Sequence, residues 1–277
     1  MTITDVGNLF MFAGGLGMFL YGMHSMSGGI QKTAGNKMKE LLGILTSNHF
    51  MAVVVGALVT AIIQSSGATT VMVVGFVNAG IMTLYQATAI IMGANIGTTI
   101  TAQIASLQAF DFIAFVTVFA CVGVFMDMLS KNEKIKTIGV VLAGLGLVFL
   151  GLQVMSDSMS IFRDSQSFKN FLTGVSNPFL LLLIGAAFTA LVQSSSAVTS
   201  LIIVMVGAGL SIGEPGSNGV LFLVLGSNIG TCITAILSSV GASTNAKRAS
   251  LIHLMFNVFG SIIFTVFLLC WPSFMQD

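Results

Sequence analysis

Between Glu40 and Asp111 this chain carries no Asp, Glu, Lys or Arg, and charge is equally absent between Lys169 and Glu214, between Glu214 and Lys247, and between Arg248 and Asp277. Uncharged apolar runs of this length suit a lipid bilayer, where backbone N–H and C=O groups must be paired inside the fold. Composition agrees, with 55% of the 277 residues hydrophobic, 7% charged and a mean hydropathy of +1.01. Outer-membrane barrels alternate apolar and polar residues in segments of about ten, and these runs are longer and uniformly apolar. The expected fold class is an all-α polytopic membrane protein.

Charge and cysteine usage narrow the partners. A formal net charge of +1 leaves no sustained basic surface for the phosphates of a nucleic acid. Cys121, Cys232 and Cys270 are scattered through apolar segments without CxxC spacing, so they read as small core residues. No basic n-region precedes the first apolar stretch, and a removable signal peptide is not expected.

The first span is expected over about Leu9 to Ile30, followed by a basic connector with Lys32, Lys37, Lys39 and Glu40. Residues 50–82 are apolar on both sides of Gln64-Ser65-Ser66, leaving two arms of about 14 residues when crossing needs about 20. That pattern predicts a re-entrant helical hairpin with the polar motif at its tip. Residues 85–107 suffice for one crossing, and Gly93-Ala94-Asn95-Ile96-Gly97-Thr98-Thr99 at its centre predicts a broken helix. Residues 112–129 form a further span, ending in a basic loop at Lys131-Asn132-Glu133-Lys134-Ile135-Lys136.

The pattern then restarts. Gly146-Leu147-Val148-Phe149-Leu150-Gly151 echoes Gly17-Met18-Phe19-Leu20-Tyr21-Gly22, 129 residues later. The same offset links Ser176-Asn177 to Ser47-Asn48, Gly185-Ala186 to Gly56-Ala57, Thr189-Ala190 to Thr60-Ala61, and Gln193 to Gln64. After Gly209, the partner of Gly80, a short insertion around Glu214-Pro215-Gly216 precedes Gly226-Ser227-Asn228-Ile229-Gly230-Thr231-Cys232, and residues 249–270 close the second unit. The chain divides into transmembrane repeat 1, residues 1–136, and repeat 2, residues 137–277, together one transport domain.

Three crossings and one hairpin per repeat make the crossing number odd, so the second repeat is inverted. On this tracing Lys32, Lys37, Lys39, Lys131, Lys134, Lys136, Lys247 and Arg248 share one face of the membrane, while Arg163 and Lys169 lie on the other. The positive-inside rule makes the first face cytoplasmic. The expected location is the cytoplasmic (inner) membrane of a bacterium, with both ends of this chain external.

Inversion brings the two hairpin tips together near the midplane beside the two broken helices. A helix that starts after Ser65-Ser66 or Ser194-Ser195-Ser196 presents unpaired N–H groups and a positive dipole end, which suits an anion. Free carbonyls and amide oxygens near Gln64, Gln193, Asn95 and Asn228 make the hard oxygen cages that sodium prefers. Without a buried Arg, a polyanion such as hydrogen phosphate needs compensating cations, and co-bound sodium supplies them.

The paired Gln-Ser-Ser motifs, followed by Gly-Ala-Asn-Ile-Gly-Thr and Gly-Ser-Asn-Ile-Gly-Thr, resemble the signature of the type II sodium-phosphate cotransporter family, bacterial branch. The similarity runs from the first glycine-rich helix to Lys247-Arg248-Ala249 and the helix bearing His253 and Asn257. It implies a sodium-coupled symporter of inorganic phosphate. Phosphate would bind Gln64, Ser65, Ser66, Gln193, Ser194, Ser195 and Ser196. Sodium would bind among Gln64, Thr69, Asn95, Thr98, Gln193, Thr199, Asn228 and Thr231. Gly67 stands where the family motif has a third serine, which removes one hydroxyl. Many bacterial relatives continue into a PhoU-like regulatory domain; this chain stops at Asp277, as a short member or a truncated one would. The implied partners are inorganic phosphate, sodium ions and the bilayer, with a homodimer compatible and no organic cofactor.

Simpler readings compete. A lone Ser or Thr in a membrane helix usually bonds a carbonyl one turn earlier. His24 and His253 read as packed or interfacial residues, and Asp111, Asp127 and Asp157 sit near expected helix ends where water reaches them. An intramembrane hydrolase built on Ser65 or Ser194 lacks a base within either motif, so an enzyme is not expected. A carrier of arsenate or sulfate, or a channel, remains as an alternative.

Overall fold

The computed structural model describes residues 3–44, 48–107, 113–159, 162–163, 165–214, 216–272 and 274; Asp111 lies outside them. Every regular element among these residues is helical. The helices are α1 (Ile3–Ile44), α2 (His49–Ile63), α3 (Ser66–Asn78), α4 (Leu84–Ser106), α5 (Ile113–Leu129), α6 (Glu133–Ser158), α7 (Gln166–Gly174), α8 (Pro178–Val192), α9 (Ser195–Gly207), α10 (Gly219–Gly230), α11 (Ile233–Ser238) and α12 (Thr244–Cys270). Among the described residues four helical segments are long and apolar enough to cross a membrane, Val6–Thr33, Glu133–Ser158, Gly219–Ser238 and Thr244–Cys270. The bent pair α7 and α8, angled at 108°, makes up to five. The protein is an all-α polytopic membrane protein.

The chain forms two compact units. The first comprises Met1–Lys39, Thr101–Phe168 and Ile203–Leu210. Glycines let its backbones touch. A Cβ at Gly22 would lie 2.7 Å from the Gly144 carbonyl oxygen, and one at Gly15 would lie 2.9 Å from that of Gly151. These two pairs run in opposite chain directions, so α1 and α6 pack antiparallel, as small residues permit in a membrane. A different α6 face, with Gly139 and Gly146, meets α5 at Gly123 and Ala120. At the exposed end of this unit Lys32 pairs with Glu133 at 3.2 Å, and Lys136 pairs with the same carboxylate at 3.7 Å.

The second unit comprises Glu40–Ile100, Lys169–Ile202 and Ser211–Asp277, and it holds every candidate site residue. Two helix–turn–helix elements, α2–α3 and α8–α9, the latter lying in this unit as far as Ile202, begin alike. Asn48 Oδ1 accepts from the Phe50 and Met51 N–H groups, and Asn177 Oδ1 accepts from those of Phe179 and Leu180. Both elements end at a glycine of positive φ, Gly80 at 71° and Gly209 at 82°. Packing repeats as well. A Cβ at Gly56, Gly93 or Gly97 would strike the carbonyl oxygen of Ile90, Val53 or Ala57, and one at Gly185, Gly226 or Gly230 would strike that of Leu223, Leu182 or Ala186. The α2–α4 contact is thus reproduced by α8–α10 at the repeat offsets.

Polar side chains on α12 face inward. Ser250, His253, Asn257, Ser261 and Thr265 recur at helical spacing and are buried, whereas Leu251, Phe259, Ile262, Ile263, Phe264 and Val266 are exposed. This pattern is the reverse of a water-soluble helix and suits lipid contact.

Three expectations need correction. The α4 helix is continuous through Gly93–Thr99, because its glycines serve close packing on α2 and do not interrupt the helix. The break is present in the second copy, where α10 ends at Gly230 and α11 starts at Ile233. The stretch with Lys32, Lys37, Lys39 and Glu40 is helical as part of α1, not a loop; apart from Gly35 it consists largely of good helix formers. The loop after α5 is shorter than expected, since Asn132 caps α6 by accepting from the Lys134 N–H at 2.9 Å.

A Gly93→Ala substitution is expected to destabilise by about 1–3 kcal/mol through overpacking. Gly75→Ala, with no atom within 4 Å of the added Cβ, is expected to be neutral or to stabilise by up to about 1 kcal/mol. Thermal unfolding of the detergent-purified variants would separate the two.

Candidate functional site

Each helix–turn–helix tip is built from one glutamine and one serine. Gln64 (φ 60, ψ 26) and Gln193 (φ 58, ψ 24) both adopt the left-handed conformation. They are the two non-glycine residues with positive φ among those described. Such a conformation costs roughly 1–2 kcal/mol for a residue with a Cβ, and retained strain of this kind clusters at functional sites. Each Gln N–H closes the preceding helix on a threonine carbonyl, Gln64 to Thr60 at 2.7 Å and Gln193 to Thr189 at 2.6 Å.

The next residue opens a new helix. Ser65 Oγ accepts from the Ala68 N–H at 3.1 Å, and Ser194 Oγ accepts from the Ala197 N–H at 3.2 Å. These caps satisfy one donor per helix and leave the N–H groups of Ser66 and Gly67, and of Ser195 and Ser196, in the first turn. The positive end of each helix dipole lies there too. An anion is the ligand that such an end accepts best.

The side chains differ between the copies. Gln64 is buried and its Nε2 donates to the Ala61 carbonyl, whereas Gln193 is exposed. Ser66, Ser195 and Ser196 are buried, and Ser65 and Ser194 are half-buried. Thr60 Oγ1 donates to Thr69 Oγ1 at 3.0 Å, and Thr69 Oγ1 donates to the Ser65 carbonyl at 3.1 Å. Residues 60 and 69 meet only because the chain reverses at Gln64–Ser65. In the second copy Thr189 Oγ1 instead donates to Ser227 Oγ at 2.8 Å, fastening α8 to α10.

The remaining candidates take up varied positions. Thr98 Oγ1 donates to the Ala94 carbonyl at 3.0 Å within its own helix. Thr231 is buried at the α10 terminus, and its carbonyl accepts from Thr234 Oγ1 at 2.9 Å. Asn228 is exposed and Thr199 half-buried. Asn95 is half-buried, with Oδ1 3.3 Å from His253 Nε2. A contact between copies lies beside the first tip, where a Cβ on Gly67 would sit 3.5 Å from Thr234 Oγ1.

Sequence reasoning treated His253 as packed, and it is 1% exposed. It missed the bond to Asn95. The same network includes Asn257, whose Nδ2 donates to the His253 carbonyl at 2.9 Å and to Cys232 Sγ at 3.3 Å. The inward polar stripe Ser250, His253, Asn257, Ser261 on an otherwise apolar helix was the sequence signal for it. Asp127 is half-buried, and Asp157 is exposed and accepts from Gln153 Nε2 at 2.9 Å.

The sequence profile of the Na+/Pi-cotransporter family matches residues 18–157 and 162–269. The chain belongs to this family. Its similarity extends to the Bacillus subtilis (strain 168) protein YqeW, 30% identical over 260 residues, which are 94% of this chain and 82% of that protein. A second relative is YjbB of Escherichia coli (strain K12), provisionally named an inorganic phosphate export protein. It is 30% identical over 251 residues, 90% of this chain and 45% of that protein. The human sodium-dependent phosphate transport protein 2B is 32% identical over 196 residues, 68% of this chain and 26% of that protein. This family member therefore spans less than half the length of the latter two. No solved structure gives a significant match.

Because the left-handed backbone at Gln193 costs energy with any Cβ present, Gln193→Gly is expected to keep or raise the melting temperature, by up to about 1 kcal/mol in stability. Gln193→Val, β-branched at positive φ, is expected to lower it. Thermal unfolding of both variants alongside the parent protein checks the assignment.

Proposed function

We propose that the protein is a sodium-coupled carrier of inorganic phosphate, with phosphate held between the two Gln-Ser-Ser tips and moved by alternating access. The observation that carries this reading is the duplicated tip: a left-handed glutamine followed by a serine N-cap, twice, in a unit whose candidate site has no charged side chain. A single break of this kind could be a packing accident. Two with the same caps at corresponding positions point to a shared anion site.

In this reading Ser65, Ser66, Ser194, Ser195, Ser196, Gln64 and Gln193 surround phosphate, with first-turn N–H groups as donors. Oxygen atoms of Gln64, Thr69, Asn95, Thr98, Gln193, Thr199, Asn228 and Thr231 are the pool from which sodium takes its ligands. With no Lys or Arg there, the charge of phosphate is balanced by co-bound sodium, which makes coupling a consequence of binding. Repeats 1–136 and 137–277 with inverted topology place the tips symmetrically. The basic segments face the cytoplasm of a bacterial inner membrane.

Direction follows the gradients. The human relative's name specifies sodium-dependent phosphate transport, and the E. coli relative's name specifies export. A coupled carrier runs either way, so both names are compatible with one mechanism.

The test is radiolabelled phosphate uptake into proteoliposomes with an inward sodium gradient, repeated with potassium. Accumulation above equilibrium in sodium alone is expected, and equal uptake in both salts would contradict coupling. Ser194→Ala and Gln193→Ala are each expected to lower uptake at least tenfold while leaving a monodisperse protein; normal transport by both would contradict the site.

A further inference from the structure

Among the described residues, three buried polar atoms without a hydrogen-bond partner belong to the first copy's tip and its neighbours: Thr70 Oγ1, Asn95 Nδ2 and His253 Nδ1. Thr70 lies one turn after Ser66 on the same face of α3. Buried polar atoms left unpaired cost about 1–3 kcal/mol each, and a polar ligand that reached them would recover that cost.

Helix register brings His253 to the tip. The Ser243 N–H donates to Asn78 Oδ1 at 2.8 Å, pinning the start of α12 to the end of α3, and the two helices pack against each other. The helices therefore run antiparallel. At 1.5 Å per residue, Ser66 lies about 18 Å along α3 from the pin and His253 about 15 Å along α12. The rise per residue thus puts residue 253 about level with the first turn of α3.

The bond to Asn95 sets the polarity of both side chains. With the Asn95 amide turned as the structure has it, Oδ1 accepts and His253 Nε2 is the donor, and in the neutral ring Nδ1 is then an acceptor. Asn95 Nδ2 is left as a donor. At this level of the fold the donors are Asn95 Nδ2 and the Ser66 and Gly67 N–H groups, and His253 Nδ1 offers one lone pair. A fully deprotonated anion satisfies the donors and meets the lone pair unfavourably. An oxyanion carrying one O–H satisfies both.

We propose that His253 is a specificity-determining residue whose Nδ1 accepts the proton of hydrogen phosphate, selecting protonated tetrahedral oxyanions over sulfate. The proposal rests on the phosphate-carrier reading above. It gives Asn95 Nδ2 to the anion and its Oδ1 to His253, so Asn95 serves phosphate and not sodium. Discrimination by a hydrogen bond that the analogue cannot make is the strong kind, because the failed partner stays buried.

The probe is fluorophosphate, which matches hydrogen phosphate in shape and charge at neutral pH and lacks the P–OH proton. In sodium-dependent phosphate uptake by the intact protein, arsenate should inhibit at concentrations comparable to phosphate, while fluorophosphate and sulfate should be at least tenfold weaker. His253→Gln keeps a donor near the Nε2 position and removes the acceptor at Nδ1. It should raise the phosphate half-saturation at least tenfold and erase the discrimination against fluorophosphate, with the sodium half-saturation at saturating phosphate unchanged. A merely structural role would lower the maximal rate and leave that discrimination intact. Fluorophosphate inhibiting the parent protein as well as arsenate does, or His253→Gln retaining the discrimination, would overturn the proposal. If His253→Gln does not fold, the comparison on the parent protein decides. Absence of any sodium-dependent phosphate uptake would overturn the carrier reading and this assignment with it, whereas uptake without discrimination overturns this assignment alone.

Discussion

The structure depends on how a broken helix is satisfied in an apolar setting. Every interruption exposes N–H and C=O groups that lipid cannot pair, and here each interruption at Gln64–Ser65 and Gln193–Ser194 is closed by the same two devices. A left-handed glutamine returns its N–H to a threonine carbonyl, and a serine hydroxyl takes one donor of the next helix. The donors that remain are aimed, few and uncharged. That combination suits an anion without the desolvation cost of a buried cation.

Close packing makes the devices rigid. The backbones of α2 and α4, and of α8 and α10, touch where glycines remove the intervening side chain. The helix bearing the Gly-x-Asn-Ile-Gly-Thr motif is thereby held against the arm that carries its tip. Because this contact recurs at matching positions in both copies, the tips inherit matching supports. Their surroundings still differ, with Gln64 buried and Gln193 exposed, so the two halves are not equivalent in this conformation.

Much of this was legible in the sequence. Two arms too short to cross, flanking Gln-Ser-Ser, announced each turn, and the constant offset of 129 residues announced the copy. The break expected at Gly93–Thr99 was misread, because glycine in a membrane helix marks close approach as often as interruption. Gly-Ala-Asn-Ile-Gly-Thr and Gly-Ser-Asn-Ile-Gly-Thr are nearly the same string, yet only the second breaks. The string alone does not decide it, and the second break lies beside a residue bonded far along the chain. Cys232 packs against the His253 carbonyl and Asn257 Nδ2, contacts that no local pattern encodes. His253 escaped notice as a site residue for the same reason, since its bond to Asn95 joins positions 158 residues apart.

The central claim is that neither copy completes a site alone. Equilibrium binding of labelled phosphate to the purified protein in sodium tests it most directly, with the parent protein compared with Ser65→Ala, Ser194→Ala and the double variant. One phosphate per chain, lost on substitution in either tip, is the expected result. Two phosphates per chain, each removed only by the substitution in its own tip, would contradict a shared site.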